Sequence, residues 1–182
     1  MEVYILFSII PMWANIFNEE NIMDKNNIKL LSEIPIFNEL KNKELKKLSD
    51  IIHERTYKSE ESLFEDGNPG SAMFVLVEGT IEIDKKMKNG KLIDLAVLSR
   101  GDFLGELALL NNSQRTATAK CITEVTVLVL FRDDLWEFIK REEKIGVKIL
   151  KNLAKIIGER LVETNKLLLE YKLMSEMKKD GD

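Results

Sequence analysis

The sequence predicts a mainly β fold, a barrel or sandwich of short strands, with helices before and after it. Three observations carry that expectation. Between residues 54 and 130, short apolar or alternating runs are divided by turn signals such as Gly67-Asn68-Pro69-Gly70 and Asn89-Gly90, the pattern of brief strands joined by tight turns. Upstream, Asn42 to Ile52 repeats apolar residues at helical spacing, as an amphipathic helix does. Downstream, a proline-free stretch from about Lys144 to Met177 repeats them every three or four positions.

The chain opens on an apolar run, Val3-Tyr4-Ile5-Leu6-Phe7-Ser8-Ile9-Ile10-Pro11-Met12-Trp13, preceded only by Glu2. A signal peptide carries basic residues there. The run is also short for a bilayer span of about 20 residues, and Pro11 interrupts it. Residues 1–23 therefore form an extension with three readings: a helix packed on the domain, a membrane-surface anchor through residues 1–18, or translated sequence upstream of a start at Met23. Residues 24–142 form the β domain with its helical lead-in. In it Asp24 can cap a helix through Ile28, Leu30 and Leu31 that stops by Pro35.

Strand expectations follow in order. Ser62-Leu63-Phe64 and Ala72 to Gly79 come first. Thr80-Ile81-Glu82-Ile83-Asp84 alternates as a half-buried strand should. Leu92 to Leu98, Ala117 to Ile122 and Val125 to Leu130 complete the set. Asp133 to Lys140 then predicts a helix begun by acidic residues, which suit its N-terminal dipole. Residues 143–182 are expected to be one long helix in which Leu150, Ala154, Ile157, Leu161, Thr164, Leu168 and Tyr171 make a heptad seam for a partner helix.

The chemistry concentrates in Gly101-Asp102-Phe103-Leu104-Gly105-Glu106-Leu107-Ala108-Leu109-Leu110, followed by Asn111 to Gln114 and Arg115-Thr116-Ala117. Gly105 allows the backbone to approach a ligand closely. Glu106 to Leu110 predicts one or two helical turns, whose start attracts an anion. Arg115 offers a planar fork of donors to phosphate oxygens. An ionised Glu106 only accepts hydrogen bonds, so it suits a sugar hydroxyl. A ligand that satisfies both carries a phosphate on a ribose. The alternative for these two residues is an ordinary surface ion pair.

The stretch "FLGELALL" with the later "RTA" resembles the phosphate-binding cassette of cyclic nucleotide-binding domains, the family of the catabolite activator protein and the kinase regulatory subunits. The resemblance covers roughly residues 30–175 and implies a β jelly-roll barrel with helices at both ends. It implies that Glu106 holds the ribose 2′-hydroxyl and Arg115 the cyclic phosphate. Gly105, Leu107 and Ala108 would contribute backbone groups, and Thr116 and Ala117 would complete the pocket. Because "ERLVETNKL" resembles the dimer-helix segment of bacterial activators, Thr164 and Asn165 are expected at the base edge, from the same and the partner subunit, with Arg160 near the ligand mouth. Thr116 also resembles the threonine of cyclic GMP-selective kinase domains. Thr164 and Asn165 carry acceptors suited to the adenine amino group, although an asparagine also satisfies the guanine carbonyl by turning its amide. The resemblance to bacterial members, which more often answer to cyclic AMP, decides for cyclic AMP, with cyclic GMP the other candidate.

Composition bounds the remaining classes. The chain has 182 residues and a formal charge of −4, which argues against a nucleic-acid-coating surface. Its single cysteine, Cys121, fits a reducing, cytoplasmic setting and a core position. His53, the only histidine, is expected at the surface and, without companion ligands, holds no metal. No catalytic set is visible, so an enzyme is not expected. The expectation is a cyclic nucleotide receptor that dimerises through its C-terminal helix, moves that helix on binding ligand, and signals through an unidentified downstream protein without contacting nucleic acid. One alternative is the sensor part of a catabolite activator-type regulator whose DNA-binding domain lies outside this chain. Another is an interaction barrel that binds no nucleotide.

Overall fold

The computed structural model describes residues 25–179. The apolar run at residues 1–18 and the cap expected at Asp24 lie outside the described residues. Helix α1 (Lys25–Glu33) and helix α2 (Asn42–Ser49) form the lead-in. The helical pattern expected through Ile52 stops earlier, because Ile52 already belongs to strand β1 (Ile52–Tyr57). Helix α2 begins with a Glu44 carboxylate that accepts from the Lys41 amide at 2.7 Å and from Lys148 Nζ at 2.7 Å.

Seven further strands follow: β2 (Ser62–Phe64), β3 (Ala72–Glu78), β4 (Ile81–Lys86), β5 (Leu92–Leu98), β6 (Phe103–Leu104), β7 (Thr118–Cys121) and β8 (Val125–Phe131). They form two four-stranded antiparallel sheets, ordered β1-β8-β3-β6 and β2-β7-β4-β5. The expected mainly β arrangement is thus present as two facing antiparallel sheets, which are not closed: among the described residues no ladder joins an edge of one to an edge of the other. Strand β6 was not foreseen. Its two residues look like part of the cassette, and only pairing with Phe74 and Val75 makes them a strand.

Alternation sorts the side chains into two cores. Between the sheets lie Phe74, Leu76, Ile81, Ala119, Cys121, Val125, Val127 and Val129. Cys121 is fully buried there, as a small apolar residue. The opposite face of the first sheet presents Met73, Val75, Leu128 and Leu130 to the helices. Leu31, Phe37, Leu45, Leu135 and Phe138 meet them in this second core, with Leu109 of the cassette.

Helix α3 (Arg132–Arg141) and helix α4 (Glu143–Lys179) close the chain. The heptad seam needs a correction in its first half. Up to Ile157 helix α4 packs on its own domain, burying Ile145, Ile149 and Leu153, with Ile156 and Ile157 packed against them. Ile145, Ile149, Leu153 and Ile156 lie beside the seam, the seam residue Ile157 is drawn into the domain, and Ala154 is left exposed. Leu161, Leu168 and Tyr171 are exposed by 59%, 50% and 70%, so the second half projects an apolar face from the domain. His53 is half-exposed in β1, with its Nε2 3.6 Å from Asp134. Among the described residues no metal-ligand cluster and no helix long and apolar enough to cross a membrane is found.

Candidate functional site

The cassette bends sharply at Gly105, whose φ of 78° lies in the left-handed region that favours glycine. A 3₁₀ turn, Glu106–Leu109, follows, and the Ala108 amide closes it on Gly105 O at 3.1 Å. The turn is anchored from below: Leu109 sinks into the helical core, and its carbonyl accepts from Trp136 Nε1 at 3.0 Å. Arg132 Nη1 adds bonds to Gly70 O at 3.1 Å and Asn111 O at 3.0 Å. Helix α3 thus fixes the turn from which Glu106 projects.

The strand-like stretch before Thr118 is fixed by pairing with the 67–70 loop. Arg115 N donates to Asn68 O at 2.8 Å, Gly67 N to Arg115 O at 2.9 Å, and Gly70 N to Ser113 O at 3.0 Å. A Cβ at Gly70 would stand 2.9 Å from both Ala108 Cβ and Ser113 O, so only glycine permits this approach. The loop therefore sets the height of Arg115 above the sheet.

Arg115 and Glu106 are 8% and 5% exposed, which rules out the alternative of an ordinary surface ion pair. The guanidinium of Arg115 lies 4.1 Å from the Phe64 ring centroid and 5.6 Å from that of Phe74. Its Nη2 donates to Ala72 O at 2.8 Å. Its Nε is buried with no hydrogen-bond partner among the described residues. Burial pulls the guanidinium below its usual range, and the neighbouring Glu106 charge opposes that shift. A buried cation in the wall of a cavity suits an anionic ligand there.

Glu106 answers to a different cation. Its Oε1 accepts from Arg160 Nη1, which reaches the pocket from helix α4, and the Arg160 guanidinium lies 5.4 Å from the Phe103 ring centroid. Two arginines and one carboxylate leave the site with one net positive charge, matched to a monoanion. The cavity they line measures about 380 Å³, within the usual range for small-molecule sites. Gly105, Glu106, Leu107, Ala108, Arg115, Thr116, Ala117 and Arg160 all line it. Thr164 and Asn165 do not: both are exposed on α4, and the Thr164 hydroxyl donates to Arg160 O at 2.8 Å.

Sequence reasoning missed Phe64, which supports Arg115 from strand β2, and Phe103, which supports Arg160. It also missed Ile83 and Leu98, which supply apolar wall. An isolated phenylalanine in a short strand carries no signal of a cationic neighbour, so these residues were not legible beforehand.

The fold and this pocket define a ligand-binding regulatory module. Residues 54–142 match the family model described as the cyclic nucleotide-binding domain, and through them the chain belongs to that family. It is similar to the cAMP-dependent protein kinase regulatory subunit of Mycosarcoma maydis, with 35% identity over 136 residues, 75% of this chain and 25% of that protein. It is also similar to the cyclic AMP receptor protein of Thermus thermophilus, with 28% identity over 141 residues, 78% of this chain and 62% of that protein. Among solved structures, the Thermus thermophilus catabolite activator protein superposes with a TM-score of 0.67 at 30% identity, covering 78% of this chain and 63% of that one. The chain thus spans between about a quarter and two thirds of these three proteins.

Proposed function

We propose that the pocket binds cyclic AMP in preference to cyclic GMP, and that binding is relayed through helix α4 to a protein partner. The observation that carries the reading is the buried Arg115, which lines the same cavity as the buried Glu106. In this reading the cyclic phosphate sits at Arg115 and the amides around Gly105, while Thr116 and Ala117 close its far side. The 2′-hydroxyl donates to Glu106.

Glu106 already accepts from Arg160, so a ribose hydroxyl must share or displace that contact. Either outcome alters how α4 is held at its midpoint, because Arg160 is the α4 residue among those lining the cavity. Helix movement follows from that exchange. The exposed apolar stretch of α4 beyond Arg160 supports a homodimer through this helix. Closure of a dimer helix would bring Thr164 and Asn165 to the base edge.

The relatives named for cyclic AMP support the choice of base, and calorimetric titration of the chain with cyclic AMP and cyclic GMP tests it. The expected result is tighter binding of cyclic AMP, a gap that narrows in Thr164→Ala and persists in Thr116→Ala. Preference for cyclic GMP, lost in Thr116→Ala, overturns the assignment.

A further inference from the structure

The sandwich leaves a second cavity of about 430 Å³, lined by β1 and β2, each the end strand of its sheet, and floored by β3 and β8. Its floor is aromatic. The Phe64 and Phe74 rings lie 5.8 Å apart, tilted by 38°, and Phe131 lies beside them. Strand alternation turns Arg55 and Tyr57 of β1 toward this space, opposite the core positions Val127 and Val125.

Arg55 is exposed at the rim, with its guanidinium 5.9 Å from the Phe131 ring centroid. It makes no ion pair among the described residues. Among the described residues no carboxylate lines the cavity, and Arg115 stands in its inner wall. Burial pushes the Tyr57 phenol up, which keeps it a neutral donor near neutral pH. The cavity therefore combines apolar ring surfaces, a cation and a phenol, and the Glu61 charge that also acts on the phenol stands outside its lining.

We propose that this cleft is a second ligand site, taking a flat aromatic monoanion of the aryl carboxylate class, its ring on Phe74 and Phe131 and its carboxylate on Arg55 and Tyr57. A small inorganic anion leaves the aromatic floor unused. A neutral hydrocarbon covers Arg55 without replacing its water, which is costly. The proposal does not rest on the nucleotide assignment, although Phe64 and Arg115 form part of the wall of both cavities.

The test is titration of the full chain with 2-naphthoate, followed by amide chemical shifts and calorimetry. Saturable binding is expected, with shifts centred on Arg55, Tyr57, Val129 and Phe131. Arg55→Gln should weaken it about ten- to hundred-fold, the range of one charge-assisted hydrogen bond, and neutral 2-naphthamide should be weaker by a similar factor. The exposed Arg55 side chain predicts an unchanged unfolding temperature for the variant. Equal affinity for naphthoate and naphthamide, equal affinity in Arg55→Gln, shifts centred on Leu104 to Ala108, or no saturable binding at millimolar naphthoate overturns the proposal.

Discussion

Replacing Gly105 by alanine tests how closely the cassette is built around Arg115. The position has φ of 78°, and a Cβ there would overlap Arg115 Nη1 and stand 3.0 Å from Ala72 O. Two separable effects follow. A left-handed backbone costs an alanine about 1–2 kcal/mol. At about 2–4 °C per kcal/mol for a chain of this size, the unfolding temperature should fall by about 2–8 °C. The overlap is resolved by moving the guanidinium, because Ala72 O belongs to strand β3 and cannot yield as readily. A displaced Arg115 loses one charge-assisted bond to phosphate, about 1.5–3 kcal/mol, which is about ten- to hundred-fold in affinity.

Gly101→Ala separates the two terms. Its φ is 90°, yet a Cβ there meets nothing within 4 Å. It should show the same loss of thermal stability and keep its affinity for cyclic AMP. Calorimetric titration with cyclic AMP and differential scanning calorimetry read the two quantities on both variants. A folded Gly105→Ala chain with parental affinity, or with a loss equal to that of Gly101→Ala, refutes the argument that Arg115 is the phosphate contact.

Three other expectations rest on separate parts of the structure. Glu106→Gln should weaken ribose cyclic nucleotides more than 2′-deoxyribose ones, measured by competition; equal losses on both sugars would remove Glu106 from the ribose. Leu168→Glu, on the exposed half of α4, should convert a dimer to a monomer in sedimentation. It is a cleaner probe than Ile157→Glu, because Ile157 packs on its own domain, and a parent that is monomeric at high micromolar concentration ends the dimer reading. The hydrogen bond from Lys148 is the main cause holding the Glu44 carboxyl below its usual 4.5. A depressed carboxyl stabilises the fold fully above its unfolded value and loses that contribution as pH falls through the lowered one. Lys148→Met should therefore melt below the parent at neutral pH, with the gap closing in acid; a gap independent of pH contradicts this.

Much of the domain is decided by local rules that a sequence displays. Alternation in Ile81 to Asp84, the Asn89-Gly90 turn and the acidic start of α3 depend only on neighbours along the chain, so these elements were legible. The cassette was legible for a related reason. Gly105, Glu106 and Arg115 lie within eleven consecutive residues, and their chemistry follows from residue type.

What the sequence left undetermined depends on partners distant in the chain. Strand β6 exists because Phe103 and Leu104 pair with β3, about thirty residues earlier. The division of α4 into a packed half and an exposed half follows from which of its residues reach α3 and the helical lead-in, as Lys148 reaches Glu44 and Asn152 reaches Ile36 O. The contact between Glu106 and Arg160, separated by 54 positions, and the support of Arg115 by Phe64 are likewise products of packing. Hydrogen bonds and ring contacts act over a few ångströms in space, and only the tertiary structure brings those residues within that range.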